Sequence, residues 1–191
     1  MWPKESMKYL QRLTRRAREP IPKLMVSMEV AAFIRGTAAQ SPSTETGGIL
    51  IGHHIGRDIR VVRATDAGPG ARRSQCGFLR DTEYCQKILN EEFASSGADY
   101  LGEWHTHVID LPRPSSGDLE TLARIVLDPD YNFPSFAMIL ALVLKGEVKL
   151  LPYVIATDLA RAKGGERIVT VAQVTPVLEA DGSRASRIGD T

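Results

Sequence analysis

Residues 101–120 read LGEWHTHVIDLPRPSSGDLE, and the way this stretch folds decides how the rest of the chain is arranged. The segment YLGEWHTH reads as a strand, Pro112 and Pro114 stiffen the loop after it, and SSGDLETLARIVLD opens a helix whose Leu119, Leu122, Ile125 and Val126 face inward. Side chains two apart in a strand leave the same face. His105 and His107 can therefore bring two imidazoles to one point, while Trp104 and Thr106 face the other way. Asp118, separated from His107 by ten residues, can return a carboxylate to the strand end. Two readings stand side by side. One is a divalent metal site; the other is a buried strand leading to a helix that Ser115 and Asp118 start as a capping box.

Working outward, FAMILALVL at residues 136–144 is too short to cross a bilayer as a helix and fits a strand buried on both faces. It continues through Lys145-Gly146 into a second strand, GEVKLLPYVIAT, and ERIVTVAQV is a further candidate strand. Upstream, KLMVSMEV reads as a strand, VAAFIRGTAAQ as a short helix, and TGGILIGHHI and DIRVVRATDAG as an antiparallel pair turning at Gly56. GPGARRSQCG reads as a loop. Asp81 or Thr82 caps a helix over TEYCQKILNEEFASSG, with Cys85, Ile88, Leu89 and Phe93 on one apolar face and Gly97 as the stop. Helices and strands alternate early and strands cluster late, which predicts an α/β fold with a mixed central sheet flanked by helices. The division expected is a basic N-terminal helix within residues 1–22, one domain over 23–175, and a flexible tail over 176–191.

The chain has 191 residues, of which 43% are apolar and 25% charged, with a formal charge of +1. That balance singles out no nucleic acid, anionic membrane or acidic substrate as a partner. Two cysteines, Cys76 and Cys85, are too few for a disulfide framework, and MWPKESMKYLQRLTRRAREP has no apolar core of the signal-peptide kind, so the expected location is the cytoplasm.

Two histidines and one carboxylate would leave a fourth tetrahedral position of zinc open to water, the arrangement of a catalytic site. Hydrolysis then needs a carboxylate that is not a ligand, to carry the water's proton to the leaving amine. Glu45, Glu103 and Glu120 are the candidates. Glu103 shares the histidine face of its strand, Glu45 must be brought in by the strand it precedes, and spacing does not choose among them.

The string Glu103-Trp-His-Thr-His followed by Ser115 and Asp118, with ETGGILIG far upstream, matches H-x-H-x7-S-x2-D plus a glutamate. In this it resembles the JAMM (MPN+, JAB) zinc metalloproteases, over about Lys23 to Thr157, and most of all their small bacterial stand-alone members. The resemblance implies a JAB/MPN fold, related to that of cytidine deaminases, although the Pro-Cys-x-x-Cys motif of zinc deaminases is absent. It implies one Zn2+ on His105, His107 and Asp118, Glu45 as general acid/base, and Ser115 as donor to the oxyanion. The implied reaction is cleavage after the C-terminal tail of a ubiquitin-like protein, by deconjugation or precursor maturation. Its context would be operons, some antiviral, that also encode activating and conjugating (E1- and E2-like) enzymes. Family members grip the tail as an added strand. Here Ala64 to Phe78 is the candidate edge, with Ala64, Thr65, Gly68, Cys76, Phe78 and Trp104 as candidate substrate contacts. Release of a sulfur-carrier protein from an extension and a non-catalytic scaffold are the alternatives. A second, structural zinc is not expected, since only His53 and His54 remain and adjacent strand residues point to opposite faces.

Overall fold

The two faces of the apolar run at residues 136–144 organise the core. A computed structural model describes residues 20–128, 133–158 and 168–180. The basic helix expected near the N-terminus lies outside these residues, as do most of the tail and part of the segment around 128–135. In chain order the elements are β1 (Leu24–Ser27), α1 (Met28–Ala39), β2 (Gly47–Ile55), β3 (Asp58–Ala64), β4 (Arg72–Ser74), β5 (Gly77–Leu79) and α2 (Thr82–Ser96). They continue with β6 (Asp99–His107), α3 (Ser116–Leu127), β7 (Ser135–Leu144), β8 (Glu147–Asp158), β9 (Ile168–Gln173) and β10 (Val177–Glu179). Eight strands form one mixed sheet in the order β10-β1-β3-β2-β6-β7-β8-β9, and β4 and β5 form a separate hairpin.

Strand β7 lies between parallel β6 and antiparallel β8, and nine of its ten residues are buried, so it reads as a continuous apolar run. Its Ala137, Ile139, Ala141 and Val143 pack with Val30, Ala31, Ile34 and Ala38 of α1. Its Phe136, Met138, Leu140 and Leu142 pack with Leu122 and Val126 of α3. A third cluster joins Ile49 and Ile51 of β2 to Cys85 of α2 and to Ala98. The expected mixed α/β architecture is thus the one observed, with helices on both faces of the sheet. The β7–β8 turn has positive φ at both Lys145 (53°) and Gly146 (84°), the handedness a two-residue hairpin requires.

Several local readings change. Helix α1 starts at Met28, where the strand was expected to continue to Val30, because the Ser27 side chain accepts the Val30 N–H at 3.1 Å and stops the strand with an N-cap. Phe93, expected on the buried face of α2, is 59% exposed; that helix buries Cys85 instead. The loop after β3 contains the β4–β5 hairpin. Val177–Glu179, inside the stretch expected to be a flexible tail, pairs in parallel with β1 and is tied by Glu179 to Arg60.

Between Leu50 and Ile51 the β2–β6 register shifts: Leu50 faces Gly102 and Ile51 faces Tyr100, leaving Leu101 as the extra residue. The bulge places Tyr100 and Glu103 on one face although they are three apart, and the Tyr100 hydroxyl donates to Glu103 at 2.9 Å. At the other end of this pair, Gly48 faces Trp104, whose indole N–H donates to the Thr65 carbonyl at 2.7 Å. A β-carbon on Gly48 would lie 2.0 Å from that same oxygen. Gly48→Ala should therefore force the strands apart and cost about 1–3 kcal/mol. A urea melt should show a lower midpoint with unchanged slope, and a variant as stable as the wild type would contradict this packing argument.

Candidate metal centre

Strand β6 brings His105 and His107 to the face opposite Trp104, which is wholly buried, and Thr106. The loop after it is drawn back by His107 itself: Nδ1–H donates to the Leu111 carbonyl at 2.9 Å. That bond places a proton on Nδ1 and turns Nε2 toward Asp118, where a second proton is held by the carboxylate until a cation displaces it. Ser115 then caps α3. Its hydroxyl accepts the Asp118 N–H at 3.2 Å, and the Asp118 carboxylate accepts the Ser115 N–H at 2.6 Å. The capping box and the metal-type cluster are therefore the same residues, and the two readings of the sequence are compatible.

The three side chains converge. His105 Nε2 lies 3.3 Å from one Asp118 oxygen and His107 Nε2 3.2 Å from the other. All three prospective ligand atoms fall within 4.8 Å of one another. His105 Nε2 is also shielded from solvent and makes no hydrogen bond of proper geometry. A buried nitrogen left this way is costly unless something else binds it. Two imidazole nitrogens and a carboxylate, one nitrogen lacking any other use, suit a divalent cation that keeps an open position.

Charge at the site follows from this packing. Burial alone would raise Asp118, but the His105 and His107 imidazoles beside it outweigh burial and hold the carboxyl far below its usual range. Burial alone would lower His107, yet Asp118 and the Leu111 carbonyl hold it above its ordinary value. Glu45 is raised by burial, partly offset by the two histidines. It lines the same cleft as the cluster, sixty residues of sequence from His105.

The other two candidate carboxylates are placed differently. Glu103 lines the cleft, but its carboxylate is already engaged by Arg80 and by the Tyr100 hydroxyl. Glu120 also lines the cleft, as an exposed residue of α3. Of the candidate substrate contacts, Cys76, Phe78 and Trp104 line the same cleft as Glu45, His105 and Ser115, Trp104 while wholly buried. Ala64, Thr65 and Trp104 also have interior roles. Ala64 and Trp104 belong to the core under α1, and the Thr65 hydroxyl and carbonyl are engaged by Ile49 N–H and the Trp104 indole, so their side chains are not available to a substrate. Gly68 sits against Asp81 and Tyr84 of the α2 cap. Arg80 was missed from sequence; it pairs with Glu103, twenty-three residues away, and such a pairing has no local sequence signal. His54 bonds the Ser135 carbonyl at 2.9 Å and has a structural use.

Residues 28–170 match the family described as prokaryotic homologs of the JAB domain. The chain belongs to that family. Among curated proteins, this JAB-domain chain is 37% identical over 81 residues to a CD-NTase/cGAS isopeptidase of Escherichia coli (strain TW11681), covering 41% of the chain and 52% of that protein. It is 35% identical over 88 residues to the CD-NTase/cGAS isopeptidase of Vibrio cholerae serotype O1, covering 45% and 56%. The chain thus spans about half the length of the curated relatives it matches. A Desulfitobacterium hafniense protein solved in solution shares the fold, with a TM-score of 0.59 at 20% identity over 85% of this JAB-domain chain and 97% of that protein. Among the described residues, no helix is long and apolar enough to cross a membrane.

Metal binding should depend on each of the three ligands. His105→Ala, His107→Ala and Asp118→Ala should each lose stoichiometric zinc on dialysis, read by elemental analysis, whereas Glu120→Ala should retain it. Because His107 must shed a proton to bind, and its pKa is raised, protons compete at higher pH than for a free histidine. Zinc affinity should fall steadily as pH drops from about 8 to about 6. A flat profile would argue against His107 as a ligand.

Proposed function

We propose that this chain is a zinc-dependent isopeptidase or peptidase that cleaves after the C-terminal tail of a ubiquitin-like protein. The observation that carries the reading is the convergence of His105, His107 and Asp118 in a cleft that also holds Glu45 and Ser115. When bound by the three ligands, zinc would supply a water acidified to a pKa of about 7. The two histidines and Asp118 hold the cation, Asp118 while also capping α3. Glu45, partly desolvated and raised, takes the proton from the attacking water and returns it to the leaving amine. Ser115 accepts from Asp118 N–H, which leaves its own hydroxyl proton to donate to the oxyanion.

Membership of the JAB family and relatives bearing the name CD-NTase/cGAS isopeptidase support an isopeptidase role. On that ground the protein proposed to be joined to the ubiquitin-like tail is a CD-NTase/cGAS-type protein; activating and conjugating enzymes are proposed as partners from the chemistry of making such a conjugate. Cys76 and Phe78, at the cleft wall, are the contacts proposed for the tail.

The test is a panel of ubiquitin-like fusions with varied tails, alongside a CD-NTase conjugate, offered to the zinc-loaded protein. Cleavage should follow the tail glycines and stop with chelator. Glu45→Gln should keep zinc and lose turnover by about 10²- to 10⁴-fold. Full activity in that variant would transfer the proton carrier's role elsewhere, Glu103 first. No cleavage of any substrate by zinc-replete protein would sink the enzymatic reading.

A further inference from the structure

The β4–β5 hairpin belongs to no other sheet, yet it is fastened at three successive residues to the segment that carries Glu45. Glu45 N–H donates to the Ser74 carbonyl at 2.7 Å. The Arg73 guanidinium Nε donates to the Thr46 hydroxyl at 3.2 Å. The Phe78 ring occupies the space where a Gly47 side chain would be, 2.5 Å from an ideal β-carbon there. Thr46 is itself 1% exposed and joined to the histidine strand on its other side. Its N–H donates to the Thr106 hydroxyl and its carbonyl accepts the Thr106 N–H, both at 2.8 Å. Thr106 stands between His105 and His107.

Thr46 is therefore a junction with two arms. One runs to the strand bearing two prospective metal ligands, the other through an exposed arginine to the hairpin. A buried threonine hydroxyl needs its partner, and here that partner is a charged, long-reaching donor. With Ser74 holding the Glu45 amide next door, the backbone from which the Glu45 side chain projects is fixed on the hairpin side by Arg73 and Ser74. A free side chain would spread over several rotamers and meet a bound substrate in the wrong place much of the time.

We propose that Arg73 is a positioning residue of the cleavage reaction: through Thr46 and the adjoining Ser74–Glu45 bond it clamps the segment that aims Glu45 at the metal centre. This rests on the proposed role of Glu45. Arg73 is not among the residues that line the cleft, and its effect belongs to the turnover step.

The test has two arms. In the first, backbone amide exchange is followed by NMR in the metal-loaded protein, without substrate. Arg73→Met should lower protection of the Glu45 amide at least about tenfold while leaving β2 residues Leu50 to Gly52 unchanged, and Arg73→Lys should restore part of it. In the second, any fusion from the panel that the wild type cleaves is the probe. Arg73→Met should keep zinc, leave KM within about twofold, and lower kcat by about 10- to 100-fold. In the Glu45→Gln background the same change should cost little more, since the group it aims has gone. Unchanged Glu45 protection in Arg73→Met overturns the clamp. A full, additive loss in the double variant overturns the route through Glu45. Wild-type activity in Glu45→Gln alone would instead overturn the role given to Glu45, and the exchange arm would still decide whether Arg73 holds the segment.

Discussion

The site depends on a reciprocal pair of hydrogen bonds between Thr46 and Thr106, which join residues sixty apart in sequence. Thr106 points to the side away from the histidines, so it can bond the incoming chain without occupying the cleft. Each bond is ordinary in strength, about 1 kcal/mol net, but both are buried, where leaving either end unpaired would cost more than the bond itself gains. The glutamate one residue before Thr46 and the histidines on either side of Thr106 are thereby held in register. From there β2 runs antiparallel beside β6, with Gly47 opposite His105 and Gly48 opposite Trp104, glycines being needed because backbone and ring atoms already fill that space.

The third member of the cluster, Asp118, comes from α3, which joins β6 to its other neighbour. Strands β6 and β7 are parallel and joined through α3, so the carboxyl end of β6 and the amino end of α3 meet, where open α/β sheets generally place their ligands. The two-sided burial of β7 makes this a stiff platform. With α1 on one face and α3 on the other, neither helix can shift without opening a cavity in a core filled by fully buried Phe136, Ile139 and Leu140.

Much of this was legible because it is periodic or local. The alternation through residues 104–107, the continuous apolar run of β7 and the Ser115/Asp118 spacing each report a geometry that a few adjacent residues determine. The JAB-type resemblance singled out Glu45 from the three candidate carboxylates, a choice that no local rule connecting it to His105 could make. What escaped depends on distant partners. Arg72–Ser74 and Val177–Glu179 are three residues each, too short to show a period, and become strands through pairing with Gly77–Leu79 and β1. The bulge at Leu101 is invisible in sequence, and so is the Tyr100–Glu103–Arg80 group. Thr65 and Trp104 lie in segments near the site yet turn into the core, since a strand carries its functional and its structural side chains on opposite faces.

The same residues also explain why a cation would matter to the fold as well as to the chemistry. Asp118 is fully used without one: it caps α3, accepts from Ser115 and is flanked by both imidazoles. His107 is anchored through Leu111. His105 has a buried Nε2 that makes no well-formed hydrogen bond and meets only an Asp118 oxygen at 3.3 Å, which leaves it incompletely satisfied. A cation that takes up this nitrogen removes that shortfall in the folded chain and finds no such assembled set in the unfolded one. Binding is therefore linked to stability through His105 in particular. The polypeptide holds Asp118 by helix capping and His107 by backbone bonding, and leaves His105 as the member of the cluster least engaged by the protein itself.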